Sequence, residues 1–488
     1  MANPPPPPPH PKTTIPIIGA GIAGPLFALH LLSHPVLRER YHPIIYERLP
    51  ENDGKSGAAV ALTSNALFPL YELGLKTGLD RISCETQRIR IWRSGKGEGK
   101  GKFLNSVRNP NWTEEVGSSL RVVERGALQS LLVDRVRERG GEVRFGVKVL
   151  GVESERGGER EGDGDGRGVK VRFEGGDVVS AAFVVGADGG WSVVRRGIIG
   201  ELMKGGEVEK EKEKEMIEQQ WRPEFAGADV VYGISKVGRE SGEEGADDEG
   251  DTHWVFLDGG MASTWALPEG KVFWTLTSLS KTQPAKPGRS NAGEHSLYGA
   301  PVSLGGYTLE DTRAFLEKHE EVWHPTAGDF GSLFKDSERI VRTALYYRAW
   351  EGNEIAGENV VLIGDAARLM LPTSGQGACF AIEDATVLAN ALLNNPPSEQ
   401  DGRLDFSQAI KEYVQTRLPR SKSMTKQSYW TGILMSWLDA WWLRWFVDLS
   451  TAWLPTGGDP KLVRRRRILW VGSIMRDTKW NYAMMAMV

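Results

Sequence analysis

A glycine-rich turn close to the start of the chain limits the possible folds more than any other feature. The apolar run Ile15–Ile18 leads directly into the pattern G-x-G-x-x-G, and an apolar stretch with helical character follows it. Gly19 permits a tight turn, Gly21 lets a pyrophosphate approach the backbone, and Gly24 lets a helix pack closely on the strand. A second apolar run ends in Glu47, where a carboxylate that binds a ribose 2′-hydroxyl is expected, and a plain βαβ turn would leave that acid unexplained. The pattern predicts a dinucleotide-binding βαβ unit in a parallel sheet.

A later turn of the same kind predicts a contact with a ring. The apolar run Val360–Ile363 ends in Gly-Asp, and a glycine-rich turn then opens a helix predicted over residues 378–393. Asp365 at the strand tip can accept hydrogen bonds from a ligand hydroxyl. Gly377 and Ala378 begin the helix, whose N-terminus offers free N–H groups and positive potential, and glycine lets backbone approach a flat ring. The set suits a polyhydroxy chain attached to an electron-accepting ring, as in a flavin.

Two further segments add to this site. The buried-strand pattern Phe183–Val185 is followed by Gly-x-Asp-Gly, which contains Asp188, and Arg195 lies on the turn that comes next. Arg125 leads an amphipathic helix, where a positive charge opposes the helix dipole. A nearby phosphate would explain Arg125, and a surface salt bridge is the alternative.

Taken in order, these four motifs resemble those of the single-component (group A) FAD-dependent monooxygenases, the superfamily of para-hydroxybenzoate and salicylate hydroxylases. The resemblance spans residues 13–420 and is greatest to fungal members that act in secondary metabolism. It implies an α/β fold with a Rossmann-type FAD-binding domain, a second, mainly β substrate domain and a C-terminal helical segment. It also implies FAD as cofactor and NAD(P)H as co-substrate, with O₂ adding to the reduced ring to give a hydroperoxide that delivers one oxygen atom.

The resemblance gives roles to individual residues. Arg125 is expected near the pyrophosphate or ribityl chain, and Asp365 on the ribityl or phosphate side of FAD. Ala59 is a candidate backbone contact with the flavin, and Ala378 is expected on the turn beneath the ring. Asp188 is counted among the cofactor-binding residues. Together with Arg195, it is expected to stabilise the fold and the region that the nicotinamide nucleotide approaches.

The catalytic group is less evident than the cofactor site. Tyr232, on a predicted strand of the substrate domain, is the candidate for a hydrogen bond to a substrate hydroxyl, and a core tyrosine is the alternative. Trp254, Trp265, Phe273 and Trp274 are candidate walls of an apolar pocket, with a plain core again as the alternative. The histidines are scattered without ligand spacing, so the sequence predicts no metal site.

One position departs from the pattern of the resembling family. That family usually has histidine after GDAA, where this chain has Arg368. The change keeps a hydrogen-bond donor and fixes a positive charge. We expect FAD binding to be retained and the surroundings of the flavin to be altered.

The chain of 488 residues is long enough for two domains and a further C-terminal piece. Composition and motif order predict the following division: a disordered proline-rich tail over 1–12, an FAD-binding domain over 13–82, 120–199 and 341–420, a substrate domain over 83–119 and 221–340, and a C-terminal helical segment over 421–488.

The C-terminal segment carries tryptophans at helical spacing, from Trp430 to Trp445. Its uninterrupted apolar length is too short for a membrane span. One interpretation is a helix that packs its aromatic face over the substrate domain. The other is a peripheral membrane contact, since tryptophan favours the headgroup region and the basic run Arg464–Arg467 lies nearby.

Composition narrows the function further. A net charge of −4 does not indicate binding to nucleic acid. Because the chain has only two cysteines, we expect no disulfide framework and a cytoplasmic location. The predicted activity is hydroxylation or epoxidation of a medium-sized aromatic or apolar substrate, polyketide- or terpenoid-like. The alternative is another FAD-dependent oxidoreductase on the same fold: an oxidase, a dehydrogenase or a halogenase. The W-x-W-x-I-P motif usual in flavin halogenases is not found in the sequence.

Overall fold

A computed structural model describes residues 12–51, 57–86, 88–94, 101–108, 120–154, 168–204, 210–236, 251–257, 260–280, 283–284, 295–400 and 403–436. Strands and helices alternate along most of these segments. The strands are β1 (Thr13–Ile18), β2 (Tyr41–Glu47), β3 (Ala59–Leu62), β4 (Ser83–Glu85), β5 (Arg88–Arg93), β6 (Lys102–Arg108), β7 (Arg121–Glu124), β8 (Glu142–Phe145), β9 (Val149–Ser154), β10 (Val169–Phe173), β11 (Val178–Ala181), β12 (Val184–Gly186), β13 (Glu224–Lys236), β14 (Asp251–Leu257), β15 (Gly260–Ala266), β16 (Lys271–Leu279), β17 (His295–Leu297), β18 (Ala300–Ser303), β19 (Trp323–His324), β20 (Gly328–Asp329), β21 (Ser337–Ala349), β22 (Ala356–Gly357), β23 (Val360–Leu362), β24 (Arg368–Leu369), β25 (Ser398–Gln400) and β26 (Arg403–Asp405).

The helices frame these strands. They are α1 (Ala23–Ser33), α2 (Pro35–Arg40), α3 (Ser64–Glu72), α4 (Lys76–Ile82), α5 (Arg125–Glu138), α6 (Val193–Met203), α7 (Lys210–Trp221), α8 (Leu309–Glu317), α9 (Phe330–Lys335), α10 (Gly352–Ile355), α11 (Gly377–Asn394) and α12 (Ser407–Ser436).

The first of two large sheets has the order β22-β23-β12-β1-β2-β8, and all its neighbours are parallel except β22 and β23. Its central strands are continuous apolar runs because helices or a further sheet cover both faces. Helices α1, α5 and α11 pack on one face, and α6 with the small sheet β11-β10-β9 lies on the other. The turns after β1, β12 and β23 therefore meet at the carboxyl ends of adjacent strands, where open α/β sheets bind ligands.

The second large sheet is mostly antiparallel, in the order β17-β18-β21-β13-β16-β15-β14-β5-β6. One face is covered by α8 and α9, which bury Phe330 and Phe334 against Trp274. The opposite face contacts the first part of the chain around Ala58 and Ala59. The predicted α/β architecture, with one Rossmann-type and one mainly β part, is confirmed.

The structure places one predicted domain boundary inside a strand, and two predicted segments extend beyond the residues that it describes. Strand β21 runs unbroken from Ser337 to Ala349, so the domain boundary predicted at residue 341 falls inside one strand of the second sheet. The tail over 1–11 and the tryptophans from Trp437 onward lie outside the described residues. Among the residues that the structure does describe, none of the helices has the length and apolar character needed to cross a membrane.

Candidate active site

The glycine-rich turn after β1 depends on glycine for two different reasons. Gly19 has φ +110°, and a Cβ there would lie 2.4 Å from the carbonyl oxygen of Ala187. A Cβ on Gly24 would lie 2.1 Å from the carbonyl oxygen of Gly19. By contrast, a Cβ on Gly21 would meet only Nη2 of Arg125, at 3.8 Å. Gly19 and Gly24 thus hold the turn together, whereas Gly21 borders open space beside a guanidinium.

Glu47 lies at the end of β2, beside this turn. Its carboxylate accepts hydrogen bonds from the backbone N–H groups of Ala20 and Leu49, both at 2.9 Å. Because each carboxylate oxygen has two lone pairs, Glu47 retains acceptor capacity for a ribose hydroxyl while it anchors the loop.

Arg125 and Asp365 come together from distant parts of the chain. Arg125 begins α5, and its backbone N–H donates to the carbonyl oxygen of Ala58 at 2.8 Å. Asp365 lies on a short 3₁₀ turn, Gly364–Ala366, with its side chain exposed to the cleft. The surrounding protein raises the pKa of Asp365 above its usual value, and the guanidinium groups of Arg125 and Arg368 oppose that rise. A carboxylate and a guanidinium therefore face one cleft that also borders Gly21.

The start of α11 is open on the side of this cleft. Gly375 has φ +62°, and a Cβ added to Gly375 or to Gly377 would meet no other part of the described chain within 4 Å. Gln376, at the N-cap, is buried, and its side chain donates to Oγ1 of Thr63 at 3.2 Å and accepts from Nδ2 of Asn65 at 3.3 Å. Sequence reasoning missed Asn65 and Gln376. Both are amide side chains at the start of a helix, α3 for Asn65 and α11 for Gln376, and that position was the available signal.

Ala59 and Ala378 are placed on either side of these polar contacts. Ala59 lies in β3 and pairs with Glu124 of β7, directly before Arg125. Ala378 is the second residue of α11 and packs at the margin of the apolar core. The structure thus places both beside elements that carry other predicted cofactor residues.

Asp188 and Arg195 act within the fold. Asp188 accepts hydrogen bonds from the backbone N–H groups of Val193 and Val194, at 2.7 and 3.3 Å, and so caps α6. Arg195 is fully buried and donates to the carbonyl oxygen of Ala366 at 2.6 Å, while Trp350 lies 3.5 Å below its guanidinium. Burial lowers the pKa of Arg195 to about 9 and raises that of Asp188. Arg195 thus connects the Asp188 motif to the Asp365 turn, which supports the bracing role proposed for the two residues.

Tyr232 lies on the face of the second sheet that looks toward the cleft. Its ring is 5.8 Å from that of Phe273. It belongs to an apolar group with Ala59 and to a neighbouring group with Leu371, which follows the Asp365 turn. Tyr232 therefore lies between the region of Ala59 and the segment that follows the Asp365 turn.

The four candidate wall residues divide between the two faces of the sheet. Trp254, Trp265 and Phe273 share the face of Tyr232 because they occupy matching positions in the strand register. Trp274 is on the other face and is fully buried, with its indole N–H donating to Ser235. Trp274 is thus a core residue of the helix-covered side.

The cleft as a whole has the chemistry that FAD requires. A pyrophosphate would fit beside Gly21 and Arg125, and Asp365 would be placed to accept from ribityl hydroxyls. The α11 N-terminus presents unpaired backbone N–H groups to a ring. The described residues include no group of three or more His, Cys, Asp or Glu side chains that could hold a metal ion.

Comparison with known proteins agrees with this geometry. The family described as "FAD binding domain" matches residues 12–235 and 347–428. The FAD-dependent monooxygenase terM of Tolypocladium album is 28% identical over 422 residues, covering 84% of this chain and 76% of that protein. The aurachin C monooxygenase/isomerase of Stigmatella aurantiaca is 26% identical over 436 residues, covering 88% of this chain and 92% of that protein. Klebsiella pneumoniae HpxO, solved with FAD and uric acid, has the same fold with a TM-score of 0.65, at 20% identity and with 90% of this chain and 92% of that chain covered.

Proposed function

We propose that this chain, which belongs to the FAD binding domain family and is an FAD-dependent monooxygenase, uses NAD(P)H and O₂ to hydroxylate or epoxidise a medium-sized aromatic or apolar substrate. The predicted family, enzyme class and FAD cofactor are confirmed. The observation that carries the rest is the aromatic face around Tyr232, which packs beside Ala59 of β3 and beside Leu371, the residue that follows the Asp365 turn along the chain. A polyketide- or terpenoid-like molecule has the apolar surface that such a face can bind.

The protein's own residues bind and orient FAD rather than react. Bound FAD supplies electron transfer and activation of O₂. Arg125 would neutralise phosphate charge, Asp365 would accept from the ribityl hydroxyls, and Glu47 would hold the adenosine ribose. The N-terminus of α11 would supply positive potential to stabilise the negative charge of a reduced ring bound there.

The second sheet would position the substrate and exclude water. Trp265 and Phe273 flank Tyr232 on the same face, and the hydroxyls of Ser263 and Thr275 on that face are paired with each other at 2.7 Å, so the surface is mainly apolar around the Tyr232 hydroxyl. That hydroxyl can donate to or accept from a substrate hydroxyl or carbonyl. Uric acid in the HpxO structure is a flat heteroaromatic molecule, which supports an aromatic substrate for this fold.

The proposal is tested by following oxygen into a product. Purified protein is incubated with NADPH or NADH, ¹⁸O₂ and a fungal metabolite extract, and the products are analysed by mass spectrometry. We expect a product that gains one labelled oxygen and consumption of NAD(P)H that rises when its precursor is added. NAD(P)H consumption that yields only hydrogen peroxide, with no labelled product from any extract, would contradict the proposed oxygen insertion and favour an oxidase.

A further inference from the structure

A buried group of charged side chains lies directly behind the cofactor cleft. We call it the arginine cluster: Arg368, Arg417, Arg420, Glu383 and Asp384. Arg368, Arg417, Glu383 and Asp384 are each no more than 3% exposed. Buried charges are rare unless paired, and no step of the proposed reaction uses these groups.

The pairs within the cluster are close and multiple. Glu383 accepts from Nε and Nη2 of Arg420 at 2.8 and 2.7 Å, and from Nη1 of Arg417. Asp384 accepts from Nε of Arg417 at 2.6 Å and from Arg368. Arg417 therefore joins the two carboxylates, and Arg368 is attached through Asp384 alone.

The cluster carries more positive than negative charge. Burial opposes ionisation of Glu383, but Arg417 and Arg420 lower its pKa to about 2, so this carboxyl is ionised at neutral pH. Three guanidinium groups then face two carboxylates. Nε of Arg368 and Nη2 of Arg417 are buried without a hydrogen-bond partner among the described residues, as expected when cations outnumber acceptors.

The excess charge lies behind both turns that are expected to contact the flavin. The three guanidinium groups surround the ring of Phe380, in the first turn of α11, at 4.7 to 5.1 Å. Asp384 also accepts from the backbone N–H of Gly364 at 2.8 Å, which ties the cluster to the Asp365 turn. The cluster thus supports the start of α11 and the Asp365 turn together.

The electric field of the cluster reaches the cleft. The surrounding protein raises the pKa of Asp365, the guanidinium of Arg125 and then that of Arg368 lower it, and Asp384 raises it. A charge that alters the ionisation of Asp365 also acts on other charged groups in the same cleft, since a low-dielectric interior screens it weakly.

We propose that Arg368 is a positioning residue whose fixed charge makes the arginine cluster net positive and thereby favours reduced, anionic FAD over oxidised FAD. Its direct partner is Asp384, and it acts on the cofactor through its field and through the Asp365 turn. Because an arginine stays protonated, this contribution does not change with pH, whereas a histidine at the same position would titrate near neutrality.

The experiment is a spectroelectrochemical titration of FAD bound to the full-length protein, with no substrate present. We expect Arg368→Gln to weaken the preference for reduced over oxidised FAD about tenfold, which for a two-electron couple corresponds to about 30 mV lower midpoint potential. Arg368→Lys keeps the charge and should stay close to the wild-type potential. Arg368→His should give a potential that falls more steeply with rising pH than that of the wild type.

A second variant that changes the charge of the cluster in the opposite direction keeps the test valid even if one variant folds poorly. Asp384→Asn raises the net charge of the cluster and should raise the midpoint potential. Arg135→Gln, which removes a surface arginine paired with Glu138, is the matched control and should leave the potential unchanged. The proposal is overturned if Arg368→Gln and Asp384→Asn lose thermal stability with no opposed shifts in potential, because a purely structural role would produce that result. If Arg368→Gln does not retain FAD, the sign of the Asp384→Asn shift decides.

Discussion

The cofactor cleft and the aromatic sheet face are built on different principles. In the cleft, close backbone contacts set the shape within which the charged side chains lie: the Gly24 turn, the start of α11 and the carbonyl oxygen of Ala366. On the sheet face, the decisive atoms are the side chains of Tyr232 and Phe273, which share a side only because of strand register. A close contact between backbone atoms leaves no room for an added atom, so a substitution there disturbs the fold. A surface made of side chains can lose a single group while the protein still folds.

The largest effect is expected from Gly24→Ala. The new Cβ would lie 2.1 Å from the carbonyl oxygen of Gly19, and neither backbone segment can move without opening the turn. We expect a loss of about 3 kcal/mol in the free energy of unfolding, or failure to fold, together with loss of FAD from the purified protein. Chemical denaturation and the flavin absorbance spectrum measure the two effects.

Gly21→Ala is the matched control within the same turn. Its Cβ would meet only Nη2 of Arg125, at 3.8 Å, so the protein should fold with nearly normal stability. FAD affinity should nevertheless fall, because the added methyl group occupies the side on which a pyrophosphate approaches. If the two variants lose equal stability, the different roles given to Gly24, which holds the turn together, and to Gly21, which borders the cleft, are wrong.

Acid should weaken both regions through two histidines whose pKa values the fold lowers, half-buried His30 and buried His253. Burial lowers the pKa of His30, which contacts Thr386 at 3.0 Å, to about 4. In the second sheet, burial and then Arg90 lower the pKa of His253 to about 4. Both folded-state pKa values lie below the unfolded value of 6.5. Stability is therefore complete above pH 6.5 and falls as the pH drops toward 4, by about 3 kcal/mol for each group.

Single variants separate the contributions of the two regions. Thermal unfolding of His30→Asn and His253→Asn is measured between pH 7 and pH 4.5. The quantity compared with the wild type is the slope of stability against pH, not the absolute stability. Each variant should have a shallower slope than the wild type, and if the regions unfold separately each should affect its own transition. A wild-type stability that does not change over this pH range would contradict the assignment of neutral imidazoles.

The sequence predicted the cleft far better than the sheet face, and the reason is physical. Gly19 and Asp365 each follow a buried strand closely, so a local pattern places them at the carboxyl edge of a parallel sheet, and the glycine-rich turn before α11 predicts the start of that helix. The hydrogen bonds of Gln376 with Asn65 and of Arg368 with Asp384 join residues that are distant in sequence or separated by turns, and no local pattern specifies them.

The side on which Trp274 lies depended on register. The strand pairing sets Trp274 opposite Gly233, where a Cβ would lie 2.5 Å from the indole. The indole can lie over β13 only because that position is glycine. The pairing of a tryptophan with a glycine across two strands was therefore the available signal, but it requires the register to be known.

The smallest expected effect distinguishes the two sides of the sheet. Tyr232→Phe removes only a hydroxyl and keeps the ring, so FAD content should be unchanged and stability should fall less than in the matched control. The value of kcat/KM should fall about fivefold, the equivalent of about 1 kcal/mol for one hydrogen bond to substrate. The matched control is Trp274→Phe, which loses bonds to Ser235 at 2.9 Å and to Ser337 at 3.0 Å and should lower stability without changing kcat/KM of the FAD-loaded enzyme. The reverse pattern would make Tyr232 a core tyrosine and move the substrate to another surface, because a residue that orients substrate must affect turnover more than folding.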